Sequence, residues 1–293
     1  MMKKLLALLL ALLTLASFAA CKKEEEKEDD LNKYLKEEVV YTSYKDSKSV
    51  FHFERVDSES VAIVGYEGPT ELHEITVPSV VYTGEDKEKD AIAVSAIADE
   101  AFKNVSSIKK VTIPEGITSI GKYAFAYCAH LETVVMPVSL ETIGYGAFLE
   151  SGLTALTFPE NSKITAIDGA TFWRCDNLKE VTIPGHIKTI GDAAFFECAS
   201  LEKVVLAEGV EKVGEMAFVK CINLAELHLP STLQVGTDPL DDLAFLGSEK
   251  LTADGVRVPE ETALPEGSKL LEYVENMKDY LKSADEVVES EEQ

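Results

Sequence analysis

Residues 201–223 read LEKVVLAEGVEKVGEMAFVKCIN, and the spacing of apolar residues in this stretch decides the fold. The apolar positions are Leu201, Val204, Leu206, Val210, Val213, Ala217, Phe218 and Cys221. Val204-Val205-Leu206 alternates as a strand does, with Val205 facing away from its neighbours. Beyond it the spacing widens, which suits a turn, a second extended piece, and one or two turns of helix. A unit this short holds too few apolar side chains to fold alone. Stacked on copies of itself, it pairs its strand into a parallel sheet and buries its apolar ladder.

The copies are present on both sides. Phe recurs at 102, 125, 148, 172, 195 and 218, with steps of 23, 23, 24, 23 and 23, and Phe245 follows after 27. Ala precedes the Phe in six of the seven cases, Thr171 being the exception. Pro recurs in step at 78, 114, 137, 159, 184 and 230, with Ala207 in the missing place. A Pro there suits a strand end, because it cannot donate to a ladder. Gly121, Gly144, Gly191 and Gly214 share one repeat position, which suggests a bend needing either positive φ or close packing. Asp168 and Ala98 replace that Gly in two units, so positive φ does not hold everywhere. The expected fold is therefore an α/β solenoid of about seven repeats of ~23 residues, with parallel strands on one face and short helices or turns on the other.

Departures from the period locate insertions. Pro to Phe is usually 11 residues, but 13 from Pro159 to Phe172, 15 from Pro230 to Phe245, and 24 from Pro78 to Phe102. The last step houses the polar run 83–90, read as an exposed loop. We divide the chain into a leader (1–20), a charged tether (21–38), an N-terminal cap (39–70), the repeats (71–260), and a C-terminal helix with an acidic tail (261–293). Phe51, Phe53, Val61, Ile63 and Tyr66 suggest a hairpin that begins the stack. Ser268 suits a helix N-cap, with Leu271, Val274, Tyr280, Leu281 and Val288 near one side. That helix either folds over the open last repeat or is offered to a partner, or the segment is a frayed acidic tail.

The repeats carry a family resemblance. Ile108-Lys-Lys-Val-Thr-Ile-Pro-Glu-Gly-Ile-Thr-Ser-Ile-Gly-Lys-Tyr-Ala-Phe-Ala-Tyr-Cys128 resembles the BspA-like subclass of leucine-rich repeats, as does the stretch 178–198. The resemblance covers about residues 60–260. It implies a bacterial surface or secreted protein, in a family where some members adhere to host matrix proteins or other cells. The fold alone does not fix a ligand.

The N-terminus reads as an export signal. Lys3 and Lys4 precede an apolar run from Leu5 to Phe18, then Ala19-Ala20 and Cys21. The 14-residue run is short for a membrane span, which needs ~20. Ending on Cys resembles a bacterial lipoprotein signal, with Cys21 as the lipidated residue and the membrane engaged only through that anchor. The run Lys22 to Asp30 that follows is solvated tether, and it also resembles the acidic tags that send some lipoproteins to the cell surface. The expected location is exported and membrane-anchored, at the cell surface or facing the periplasm.

Charge narrows the partners. With 28 Lys and Arg against 52 Asp and Glu, the chain carries −24 and repels phosphate backbones, so nucleic acid is excluded as a partner. No Gly-rich phosphate loop, metal-spaced His pair or Ser–His pattern stands out among the five His, and no cofactor is expected. Cys128, Cys175, Cys198 and Cys221 share one slot, filled elsewhere by Ser151 and Val105, which reads as buried thiol. Export leaves one disulfide, Cys198 with Cys175 or Cys221, as the alternative. The single Trp173 reads as packing or surface ahead of a sugar platform.

The surface with a pattern is the outer side of the strands. One column holds Thr112, Val135, Thr157, Thr182, Val205 and His228, and beside it stand Lys110, Glu180, Lys203 and Glu226. Thr and Val also suit strands on their own account, but solenoid curvature commonly makes such a sheet a binding surface. The expected function is a non-catalytic, lipid-anchored envelope module that binds a protein or glycan through this face. The alternative is a structural or self-associating envelope scaffold.

Overall fold

The computed structural model describes residues 39–42, 48–82, 91–235, 244–245, 247–248, 250–259, 270 and 273–277. The leader, Cys21, the tether, the loop 83–90, and Ser268, Leu271, Tyr280, Leu281 and Val288 lie outside the described residues.

The stack begins on a meander. Strands β1 (Val39–Thr42), β2 (Lys48–Arg55) and β3 (Ser60–Glu67) pair antiparallel, so the expected hairpin of β2 and β3 forms with Phe51 opposite Tyr66. Strand β3 then runs parallel to β6 (Ala91–Ile97), and β5 (Val80–Tyr82) lies antiparallel to β6. From there most layers supply a face strand, a short back strand, or both.

The face strands are β4 (Glu74–Thr76), β7 (Lys110–Thr112) and β9 (Thr133–Val135) in one parallel sheet. A second parallel sheet holds β12 (Glu180–Ile183), β14 (Lys203–Leu206), β16 (Glu226–His228) and β17 (Val256–Arg257). The back strands are two residues each. Strands β8 (Ser119–Ile120) and β10 (Thr142–Ile143) extend the sheet of β6. The remaining three, β11 (Ala166–Ile167), β13 (Thr189–Ile190) and β15 (Lys212–Val213), form their own sheet. Register follows the sequence period: Lys203 sits opposite Glu226 and Thr112 opposite Val135.

Between the strands runs one core. Phe102, Phe125, Phe148, Phe172, Phe195 and Phe218 are all fully buried, with successive ring centroids 4.8–5.5 Å apart. Tyr66 extends the stack at the start, 5.3 Å from Phe102, and Phe245 at the end, 5.3 Å from Phe218. At such distances offset ring pairs are favourable beyond the area they bury. Leu270, Tyr273, Val274 and Met277 join the same core from a helical segment near the C-terminus, at i, i+3, i+4 and i+7 spacing. Burial of these four side chains is what a capping element would require of this segment.

The segment around each Phe is turn rather than helix. Its amides bond the next layer instead of the residue four back: Phe102 N–H donates to the Ala124 carbonyl, Phe125 to Ala147, Phe148 to Thr171, Phe172 to Ala194 and Phe195 to Ala217. Backbone alternation makes this geometry. Residues two before and two after the Phe have positive φ, as at Tyr123 (55°) and Tyr127 (60°), or Ala193 (54°) and Glu197 (56°). Each such residue costs ~1–2 kcal/mol, and the bonds between layers, at ~1 kcal/mol each, offset it.

The recurrent glycines are explained by close approach. A Cβ on Gly121 would lie 2.5 Å from the Ala98 carbonyl carbon, and one on Gly191 2.6 Å from the Gly169 nitrogen. Neither has positive φ. Ala98 is tolerated because it belongs to the first layer, where no full repeat lies beneath it. Asp168 stands in the layer that carries the extra residue and starts a new back sheet.

Candidate binding face

The strand columns assemble on one side, in two groups. Glu180, Lys203 and Glu226 lie in register on β12, β14 and β16, and Thr182, Val205 and His228 lie in register two residues on. Lys110, Thr112 and Val135 belong to the other sheet, on β7 and β9. The inward residues between them, Val111, Val134, Val181, Val204 and Leu227, are buried, so the columns point outward. Val135 is 43 % exposed.

Thr157 departs from the expectation, because it lies on no strand. The face sheet stops at β9 and restarts at β12, and Thr157 stands in the gap. Two local features account for this. The segment from Ser151 to Leu153 is one residue shorter than its counterparts, such as 128–131, so the chain reaches the face early. Phe158 also fills a core position held elsewhere by Ile113, Met136, Ile183 or Leu206, and its larger ring packs edge-on against Phe172 at 6.2 Å. Thr154 N–H still donates to the Glu132 carbonyl at 3.1 Å. Among the described residues no backbone hydrogen bond joins Ala155–Phe158 to either neighbouring layer. The back strands break at the same layer, while the turn-side bonds and the Phe stack run straight through.

A groove of about 610 Å³ opens along the face at this break. Its walls are Thr154, Ala155, Leu156 and Thr157 on one side, with Lys179, Glu180, Glu202, Lys203, Ala225 and Glu226 beyond. The size lies within the ~300–1,000 Å³ usual for ligand sites. At one end Glu226 accepts from Lys203 Nζ (3.0 Å) and meets His228 Nε2, and these two bonds, His228 first, hold its carboxyl below the usual range. On the other sheet Lys110 pairs with Glu74 at 3.9 Å. The sequence flagged the length anomaly between Pro159 and Phe172, but the groove itself also depends on small outward residues, Ala155 and Ala225, which give no signal of their own.

The thiol slot is built as a hydrogen-bonded interior column. Cys128, Cys175, Cys198 and Cys221 are free and buried, and each Sγ donates to the carbonyl of a Phe at 3.0–3.3 Å, Cys128 to Phe102 and Cys198 to Phe172 among them. Burial pushes the Cys128, Cys175 and Cys221 thiols up to about 12, and Cys198 well above its ordinary value. Thiols so poorly ionised are weak nucleophiles and weak metal ligands. Among the described residues no group of three His, Cys, Asp or Glu is placed to hold a metal. Trp173 packs against Phe196 on the turn side, with centroids 5.0 Å apart.

One contact escaped the sequence reading: Ser162 Oγ lies 3.1 Å from His186 Nε2, across neighbouring layers. Ser162 is buried, and among the described residues no hydrogen bond joins the imidazole to a carboxylate.

Comparison with known proteins places the repeats. The description "BspA type Leucine rich repeat region" matches in 6 copies over residues 95–225. Residues 95–225 are a BspA-type leucine-rich repeat region. All the face residues from Lys110 to Val205 belong to these BspA-type repeats, and Glu226 and His228 follow directly. Among solved structures, the chain is similar to a leucine-rich repeat protein of T. pallidum at 25 % identity, covering 74 % of this chain and 80 % of that one, with a TM-score of 0.47. It is also similar to the pneumococcal vaccine antigen PcpA (20 % identity, 73 % and 75 % covered, TM-score 0.37). A leucine-rich repeat protein from Bacteroides ovatus shows 16 % identity, 75 % and 77 % coverage, and a TM-score of 0.29. No curated protein matches the sequence.

Proposed function

We propose that this chain is a cell-envelope binding module, held to a membrane by lipid on Cys21, which recognises a protein or glycan through the outer face of its strands. The observation that supports this most is the face itself. Outward columns in 23-residue register are mounted on a core whose rings are fully buried, and a groove opens between them. A rigid scaffold that presents an ordered row of side chains loses little entropy on binding. No described helix is long and apolar enough to cross a membrane. The lipid anchor and charged tether would set the face away from the bilayer.

The test is capture from candidate ligands (matrix proteins, cell extracts and a glycan array) by wild type and by Thr157→Arg/Thr182→Arg. Loss of capture in the variant supports the face as the binding surface. Equal capture of every ligand by both proteins removes it.

A further inference from the structure

The groove at the break in the face sheet has properties that narrow its occupant. Three observations converge there. First, among the described residues the N–H and C=O groups of Ala155–Phe158 bond neither neighbouring layer, whereas the face strands on both sides are paired. Unpaired main chain of this kind can be satisfied by an added extended chain, whose groups alternate at a ~3.4 Å repeat. Second, two of the three carboxylates that line the groove lack the ion pairs made by others along the face. Glu74 meets Lys110 at 3.9 Å, Glu132 meets Lys109 at 3.4 Å and Glu226 meets Lys203 at 3.0 Å. Among the described residues Glu180 and Glu202, both exposed in the groove wall, form no ion pair within 4.0 Å. Third, no aromatic ring lines the groove among the described residues, so the stacking surface that favours sugars is missing there.

We propose that the groove between Ala155–Thr157 and Glu180–Glu202 seats an extended, basic segment of a partner polypeptide, with its backbone along Ala155–Phe158 and a Lys or Arg side chain between Glu180 and Glu202. The proposal rests on the strand face being the binding surface and names the class of partner for it. Lys203 takes no part in the cation's site, being held by Glu226, and His228 on the far side of Glu226 reinforces that arrangement. Lys179 also lines the groove and is exposed beside Glu180, so the lining carries three carboxylates against two ammonium groups. The net charge of −24 draws a basic partner toward the protein from a distance, while the two unpaired carboxylates fix where it settles.

The experiment uses the purified protein against a random dodecapeptide display library, with a glycan array in parallel. Selected peptides should be enriched in Lys and Arg, and their affinity should fall roughly tenfold or more in Glu180→Lys/Glu202→Lys, since two attractions become repulsions. N-methylation of alternate backbone amides in a selected peptide should also weaken it, reporting on the backbone contact without altering the protein. Absence of peptide binding, selection of peptides without basic residues, or unchanged affinity in the charge-reversed variant overturns the proposal. A ligand of either kind that is lost in Thr112→Arg/Val135→Arg but kept in Glu180→Lys/Glu202→Lys leaves the face reading standing and removes this one. A ligand kept by both variants removes both.

Discussion

Replacing Phe148 by Ala should cost the protein about 4–5 kcal/mol. The ring is fully buried and sits between Phe125 at 5.3 Å and Phe172 at 5.5 Å, both nearly parallel to it. Truncating a buried Phe to Ala usually costs ~3–5 kcal/mol. Two ring pairs at ~0.5–1.5 kcal/mol each place this site at the upper end. The break in both sheets at the following layer adds a second reason: the stack and the turn-side bonds are what carry the column across it. Urea unfolding followed by far-UV circular dichroism reads the effect directly. With a slope of about 2–3 kcal/mol/M, the midpoint should fall by ~1.5–2 M. The same change at Phe245, which among the described residues stacks on one Phe, at 5.3 Å, and is 8 % exposed, should cost less. Tyr127→Ala, at a residue 40 % exposed, should stay within ~1 kcal/mol. If Phe148→Ala costs no more than Tyr127→Ala, the recurring aromatic is not the core of a stack and the reasoning fails.

Three further expectations follow from other parts of the molecule. Gly191→Ala should destabilise by ~1–3 kcal/mol, because its Cβ would meet the Gly169 nitrogen at 2.6 Å in a layer that cannot recede; a thermal melt equal to wild type contradicts this. Cys128, Cys175 and Cys221, at about 12 in the folded protein, should resist iodoacetamide at pH 8 and react once unfolded, as mass spectrometry would show; native labelling at wild-type stability refutes the burial. Glu115 accepts from the Val138 and Ser139 amides of the next layer, which holds its carboxyl below the ordinary value. A depressed folded pKa stabilises above the unfolded value of ~4.3, and that contribution disappears as pH falls through the folded value. The melting temperature of wild type should therefore drop below pH ~4.3 more steeply than that of Glu115→Gln; parallel pH profiles count against the interlayer bond.

The stack was legible because its cause is periodic. A buried ring in every layer must recur at the length of the layer, so Phe102 to Phe218 marks the core, and the 23-residue offset gives the strand register of Lys203 with Glu226. Turn geometry was less legible. Positive φ falls on Tyr123, Glu150, Ala193 and Lys220, which carry no sign of it, because the bonds to the next layer outweigh the local preference for glycine. The glycines that do recur answer to contact with the layer before, which sequence shows only as a choice between two explanations. The break at Thr157 arises from one missing residue beside Gly152 and a large ring at Phe158, each unremarkable alone. The groove forms where these two meet, and its small-residue rim leaves no periodic trace.

The stacking of layers can be tested in solution by pairs of introduced cysteines. Thr182 is the register partner of Val205, and His228 lies one layer further. Thr182→Cys/Val205→Cys joins neighbouring parallel strands, ~4.8 Å apart and within the Cα separation a disulfide bridges. The account predicts that this pair oxidises to an intramolecular disulfide, read by mass spectrometry of the proteolysed protein, while Thr182→Cys/His228→Cys does not. Equal crosslinking of both pairs, or of neither, would contradict a single column of layers in 23-residue register.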